Sequence, residues 1–441
     1  MKFGFGKVDI TPRIGMELYG YSGYLNRYAT AVRDKLQARS MAVSDGKQTV
    51  VVVSCEIVFI PRELTDAVRQ LVYQELGQDN ISIMVHATHT HSGPTIRVKY
   101  RNTYDLPYNE LLPRKIARSC IEAVNSMQEA ELMHAQVPCE GMGTNRVYDK
   151  FDYGQAALQD GFRPDKPELT DTICHVLKVM SKKQILGFVS YFGCHNVVGG
   201  AGSTYIHGDF AGVAASMLEL ENPGAVGLFL QGAEGDVNTA GCVFGDDNVL
   251  EALDVMAGRF AQAVRHGLEV AEPVTADAVG ASSLQVSFSR IPIPLEELRT
   301  RLAEEEAVID NPDAVDADQD LRWAVLRSDA LRSIIARLEC GEALEISVEV
   351  QGLKIGPIAL LGAPFEIFQA IKNDVVANAQ SPIPLVMSLA NEEHGYAVDR
   401  EAIRNGGYEA RTAPLWKHTL PYADIHSELV AALLELDKEL S

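Results

Sequence analysis

The stretch that decides the fold lies between residues 48 and 94. It reads QTVVVVSCEIVFI (48–60), PRELTDAVRQLVYQEL (61–76) and, from residue 81, ISIMVHATHTHSGP. The valine-rich run follows a turn at Ser44-Asp45-Gly46-Lys47 and has the character of a buried strand. The second segment has helical spacing, with Leu64, Val68, Leu71 and Val72 on one face. The third is an apolar strand, Ile81 to His86, that runs into Thr88-His89-Thr90-His91 and stops at Ser92-Gly93-Pro94. Outward from here the alternation continues. Ile116 to Met127 reads as helix, Ile185 to Phe192 and Ala225 to Leu230 as buried strands, and Phe210 to Leu220 between them as helix. Strands return at Leu344 to Val350, Ile355 to Leu361 and Pro384 to Leu389, a helix follows Pro364, and Ile425 to Leu440 closes the chain as a helix. The pattern predicts an α/β fold (mixed α+β). It predicts a single large domain over residues 1–441, with mixed sheets flanked by helices and its chemistry on loops at strand ends.

Composition sets the outer limits. The chain has 441 residues, 46% hydrophobic and 22% charged, which is globular and neither disordered nor coiled-coil. Its net charge of −21 excludes nucleic acid as a partner and disfavours stable association with anionic membranes. Residues 296–320 hold ten acids and two bases. We read 294–340 as a helical hairpin or insertion with a solvated acidic face, away from the chemistry-bearing loops. The seven cysteines are widely spaced with no C-x-x-C, as expected of buried thiols in a reducing compartment. The N-terminal MKFGFGKVDITPRIG lacks an apolar signal-peptide core, and no stretch is long enough to span a bilayer, so a cytoplasmic protein is expected. Nothing here opposes a homo-oligomer.

Three loops carry candidate chemistry. On an extended chain, residues two apart share a face, so His89 and His91 converge while His86 faces away. Two histidines on a surface turn would have the same spacing. His195, in Cys194-His195-Asn196, ends a buried run, where a metal ligand or a satisfied core histidine both fit. Two histidines, a carboxylate and one more oxygen would complete a zinc site, and composition does not choose the carboxylate. Asp209, in Ile206-His207-Gly208-Asp209-Phe210, precedes a helix and can serve as its cap. The loop Gln231-Gly232-Ala233-Glu234-Gly235-Asp236-Val237-Asn238 permits close backbone approach to a ligand but lacks the Gly-Lys-Ser/Thr of a phosphate loop. No G-x-S-x-G elbow, H-E-x-x-H helix or G-x-G-x-x-G turn is present.

In this order the loops resemble the neutral/alkaline non-lysosomal ceramidase family, specifically its N-terminal catalytic domain. GKVDITP with LYGYSG looks like the family's opening strand and loop, and Thr88-His89-Thr90-His91-Ser92-Gly93-Pro94 is identical to its T-H-T-H-S-G-P. Asn145-Arg146, Phe192-Gly193-Cys194-His195, Gly208-Asp209, Gly362-Ala363-Pro364-Phe365-Glu366, His394-Gly395-Tyr396 with Tyr408-Glu409, and Lys417-His418-Thr419-Leu420 are similar to further family motifs. The resemblance implies one catalytic Zn2+ held by His89, His195, Glu366 and Tyr396. It implies a proton-transfer role for His91 and a substrate contact for Arg146. The chain departs from the family at three points. Asn238 stands where the family has its proposed catalytic serine. Arg400 and Ile403 replace two tyrosines, and the protein is expected to lack the family's immunoglobulin-like C-terminal domain.

These readings predict a metal-dependent amidohydrolase that cleaves an N-acyl bond by metal-activated water. His91 shuttles the proton and Arg146 orients the substrate. Asp209 and Asp236 hold histidines in place, and Asn238 donates a hydrogen bond. The expected substrate is a small soluble molecule; Arg97, Lys99, Arg146, Arg400 and Arg404 lie close in sequence to the site loops and can read a carboxylate, though most of them are expected to be surface charges. Tyr19, Tyr21, Tyr24 and Tyr28 can form an aromatic rim, with packing the expected use for at least half of them. The alternatives are a zinc hydrolase of an ester, lactone or sugar-linked amide, a ceramidase-type lipid amidase, and a non-catalytic zinc-binding protein.

Overall fold

The computed structural model describes residues 1–21, 26–78, 80–96, 106–149, 158–159, 161–242 and 248–441. Its fold is mixed α/β, built by repeating one plan three times. The first sheet orders the strands Ile81–Ala87, Thr49–Cys55, Gln37–Ser44, Lys2–Asp9 and Gln128–Glu129. The second orders Val226–Gln231, Gln184–Phe192, Ile173–Ser181, Glu131–Pro138 and Glu272–Pro273. The third orders Val279–Ser287, Ser347–Ile355, Ile358–Gly362 and Ile383–Met387. Each is antiparallel except for one parallel pair at its edge.

Parallel strands cannot be joined by a tight turn and need a crossover. Three helices supply it: Arg62–Leu76, Asp209–Glu221 and Gln369–Asn378. A second helix backs each sheet: Leu106–Asn125, Val249–Val270 and Ile425–Leu440 respectively. The opposite faces meet in one shared core. It joins Phe3, Met41, Val52 and Met84 of the first sheet to Leu177, Val189 and Leu228 of the second and Leu353, Leu360 and Leu385 of the third. The valine run shows the period of two directly. Val50 and Val52 enter this shared core, whereas Val51 and Val53 pack against the helices.

The helix Arg62–Leu76 buries Leu64, Val68 and Val72 and ends at Gly77, whose φ of 60° lets its N–H reach the Tyr73 carbonyl. Several expected boundaries move: the strand of the valine run ends at Cys55 and not Ile60, and the helix expected from Ile116 begins at Leu106. Ile355 belongs to the longer strand Ser347–Ile355, because the chain turns at Gly356 with φ 57°. Met127 lies beyond the helix that ends at Asn125. The helix Val249–Val270 is absent from the sequence reading, although Leu253, Met256, Phe260 and Val264 recur at helical spacing.

The acidic segment folds as two helices, Leu295–Ile309 and Gln319–Glu339. Arg327–Glu305 (2.7 Å) and Arg332–Glu306 (2.8 Å) bridge them. Their apolar face, with Leu298, Leu331 and Ile334, packs onto Leu415 and Leu420. The hairpin is therefore not remote: Trp323 meets Trp416 edge to face at 5.4 Å, and Trp416 neighbours Tyr408.

Candidate metal centre and active site

The carboxyl ends of the three parallel pairs converge, as expected for ligand sites in sheets with crossover connections. The first pair delivers His89 and His91, the second His195 and the loop 232–238, and the third Glu366. Cross-bonds tie the ends together. Gln231 N–H donates to His86 Nε2 (3.0 Å), Asn391 N–H to the Val85 carbonyl (2.7 Å), and the Asn196 amide to the Thr88 carbonyl (2.6 Å). His86 thus faces away from the site, as expected, and burial lowers its pKa to about 3.

His89 and His91 do converge, but not along an extended strand. The strand ends at Ala87 and His89 adopts φ 67°, so a turn brings the two rings together. Their Nε2 atoms lie 3.1 Å apart, and His195 Nε2 is 3.2 Å from His89 Nε2. Glu366 Oε2 stands 3.2 Å from His195 Nε2 and 3.6 Å from His89 Nε2. All four residues are buried.

Backbone carbonyls set the ring orientations. His89 Nδ1 faces the Val58 carbonyl at 2.5 Å, and His195 Nδ1 the Glu234 carbonyl at 2.6 Å. Each Nδ1 must donate there, which leaves its Nε2 lone pair pointing inward. Several basic nitrogens and a carboxylate aimed at one point without donors between them fit a cation. Burial lowers the His195 pKa to about 4, and burial followed by His89 lowers that of His91 well below its ordinary value.

Tyr396 lies beside Glu366, its register partner in a two-residue parallel ladder. Burial and the Glu366 charge raise its pKa, and Arg146, whose guanidinium is 5.2 Å from the ring centroid, works against that rise. Arg146 pairs with Glu409 (3.3 Å), donates to the Gly235 carbonyl (2.7 Å) and reaches Asn238 Oδ1 (3.4 Å). Arg146, Asn238 and Tyr396 therefore form one wall.

Neither aspartate expected to hold histidines bonds to those of the cluster, although Asp209 does meet His207: its N–H donates to His207 Nδ1 (3.2 Å) and its carboxylate lies 4.0 Å from the same nitrogen. Asp236 accepts from the Asn145 amide (2.7 Å) and from Gln369 N–H (2.8 Å), bracing three loops, and burial raises its pKa to about 7. Asp209 accepts from the N–H groups of Val198, Gly199 and Phe210. For His89 and His195 the backbone carbonyls of Val58 and Glu234 do the work assigned to the aspartates.

Of the cations expected to read a carboxylate, Arg146 reaches the site. Arg400 pairs with Asp374 and Ser427, and Arg404 is exposed. Arg97 and Lys99 lie outside the described residues, as does Tyr24. Tyr21 packs edge to face on His91 (4.8 Å) and Tyr19 on Phe59 (5.5 Å), while Tyr28 is exposed. Beyond them, Tyr396, Tyr408, Trp416 and Trp323 form a continuous aromatic run from the centre to the acidic hairpin. One site residue escaped the sequence reading. Glu234 is fully buried, with a carboxylate oxygen within 4.8 Å of donor atoms of both His89 and Glu366. An acid between the glycines of a loop that follows a buried strand is the signal that marks it.

Comparison with known proteins agrees with this architecture. A crystal structure of neutral ceramidase from Pseudomonas aeruginosa superposes with a TM-score of 0.74 at 19% identity, covering 100% of this chain and 75% of that one. A ceramidase complexed with C2 gives 0.74 at 17% identity, covering 99% and 74%. At these identities the likeness is one of fold. No curated protein sequence matches the chain. The sequence profile described as neutral/alkaline non-lysosomal ceramidase, N-terminal, matches residues 1–248, which include His89, His91, Arg146, His195 and Glu234 and precede Glu366 and Tyr396. The chain belongs to the neutral/alkaline non-lysosomal ceramidase family and is a hydrolase of that family.

Proposed function

We propose that the protein is a zinc-dependent amidohydrolase acting on the N-acyl bond of a small molecule. The observation that carries this reading is the convergence of His89, His91 and His195 Nε2 within 3.2 Å steps, with Glu366 against them. His89, His195, Glu366 and Tyr396 would hold the ion. Bound there, zinc would supply a Lewis acid and make water acidic enough to deprotonate near neutral pH.

The remaining chemistry falls to the chain. His91 is uncharged at neutral pH and its Nε2 faces the centre, so it is placed to accept a proton from the attacking water and pass it to the leaving amine. Arg146 fixes the wall formed by Tyr396 and Asn238. Asn238 presents an amide where the family has serine, so it can hydrogen-bond the substrate but not attack it. Asp236 acts through the loops it braces and is a positioning residue.

One observation favours the lipid-amidase alternative over a carboxylate-bearing substrate. Arg146 is already paired with Glu409, whereas the run Tyr408, Trp416 and Trp323 offers a wall suited to an acyl chain. We therefore expect the acyl side of the substrate to lie along this run. A panel of N-acyl amines graded in chain length, with ester and lactone counterparts, assayed with and without a chelator, tests the reading. Chelator-sensitive amide cleavage supports it, and cleavage of esters or lactones alone overturns it.

We further place the protein in the cytoplasm as one catalytic domain, with or without self-association. The cysteines of the chain are all unpaired and six of the seven are buried, which suits a reducing compartment. Among the described residues, no helix is long and apolar enough to cross a membrane.

A further inference from the structure

Glu234 has no role in the chemistry above. Its backbone carbonyl receives His195 Nδ1 at 2.6 Å and Val237 N–H at 2.8 Å, which fixes the residue beside the centre. Its side chain is 0% exposed, and neither carboxylate oxygen has a hydrogen-bond partner in good geometry. The Ser388 hydroxyl faces it and offsets only part of the cost of burial. Leaving a buried carboxylate without a partner is costly, so such groups are paired, protonated or bound to metal. Here the neighbouring groups are His89 and the second carboxylate, Glu366. Two carboxylates and an imidazole nitrogen turned toward one another are a donor set that a divalent cation would unite.

We propose that Glu234 is a further ligand of the ion held by His89 and Glu366, giving this centre a second carboxylate and the capacity to hold a six-coordinate cation such as Mn2+ as well as zinc. The proposal rests on the metal-centre reading and adds a donor to it. With His89, His195, Glu366 and Tyr396 the set becomes two nitrogens and three oxygens. Zinc usually takes four donors, and oxygen-rich sets suit harder ions that take six, leaving a sixth position for water or substrate.

The test is metal binding, not turnover. The full chain is stripped by chelator, and Zn2+ and Mn2+ affinities are measured by competition and by metal content after dialysis for wild type, E234Q, E234D and H89A. E234Q keeps the shape of the side chain and removes its charge. We expect E234Q to weaken Mn2+ at least tenfold and Zn2+ by less, and E234D to recover part of the Mn2+ affinity. Wild-type affinity of E234Q for both ions overturns the proposal. So does an E234D protein that binds Mn2+ more weakly than E234Q, since a packing role would make the shorter side chain the worse one. H89A separates the two levels. If it loses both ions while E234Q keeps them, the centre stands and Glu234 is not its ligand. If H89A keeps both ions, the centre itself is misplaced and the proposal falls with it.

Discussion

Glu366 and Tyr396 sit opposite each other in a parallel ladder only two residues long, and the Glu366 N–H donates to the Gly395 carbonyl at 2.9 Å. The ladder fixes two candidate ligands, thirty residues apart in sequence, to one face. Gly395 has φ 82°, and an added Cβ would meet open space, with Lys417 Cγ at 3.9 Å. The cost of G395A is then backbone strain of about 1–3 kcal/mol. We expect G395A to fold, to bind zinc about tenfold more weakly and to lose activity in proportion. Unchanged zinc affinity would show that the ladder does not position the ligands.

Gly20 lies against His91 with φ 123°, where an added Cβ would fall 2.5 Å from the ring carbon Cγ. G20A must push the imidazole aside, because the three atoms nearest that Cβ all belong to His91. A displacement of about 1 Å in a reacting group typically costs on the order of 100-fold in rate. We expect kcat to fall by about that factor while zinc content stays at the wild-type level. A G20A enzyme with wild-type kcat would remove His91 from the mechanism.

Asp209 offers a stability signature at a residue outside the metal-centre set. Burial raises its carboxyl to about 6 from an ordinary 3.8, against the pull of three backbone N–H groups. Between those values the folded chain holds a proton that the unfolded chain releases. Its contribution is therefore fully present below about pH 4 and is lost as pH rises through about 6. Denaturant unfolding at pH 4, 5, 6 and 7 should show wild type losing about 1–3 kcal/mol more than D209N across that window. Parallel slopes for the two proteins would contradict the assignment.

Arg39 is the buried hub of the first sheet. It pairs with Glu56, with Glu219 at 3.0 Å and with the Ser216 hydroxyl at 3.0 Å, and it is only 3% exposed. Removing one partner of such a group leaves buried carboxylates uncompensated, at about 3–5 kcal/mol. R39A should lower unfolding free energy by that amount, and a loss below 1 kcal/mol would mean that water reaches the pair.

The local elements were legible wherever period and punctuation agreed. Leu64, Val68 and Val72 marked their helix, and the unbroken run of valines at 50–53 marked a strand buried on both faces. The repeated plan was not legible, because each parallel pair joins strands separated by a helix and nothing in a local window specifies the partner. At the site, the convergence of His89 and His91 was foreseen for a reason that does not hold, since a turn at His89 and not strand parity brings the rings together. Glu366 and Tyr396 came from the family resemblance; among 60 acids, composition had no means of choosing. Asp236 looked like an orienting group because an acid in a glycine loop often is one. Its bonds to Asn145 and Gln369 depend on loops nearly a hundred residues or more away in the chain. The acidic hairpin looked remote because charge reveals only its outer face, whereas its inner face carries Trp323 to the aromatic run.

The central claim is that His89, His195 and Glu366 hold a catalytic ion. Its most direct test is the zinc content of purified wild type, H89A, H195A and E366Q after dialysis, read beside amide hydrolysis on the same samples. The account predicts about one zinc per wild-type chain, less than a tenth of that in each variant, and activity that follows the metal. Full zinc occupancy in H89A, or undiminished hydrolysis by a zinc-free wild type, would contradict it.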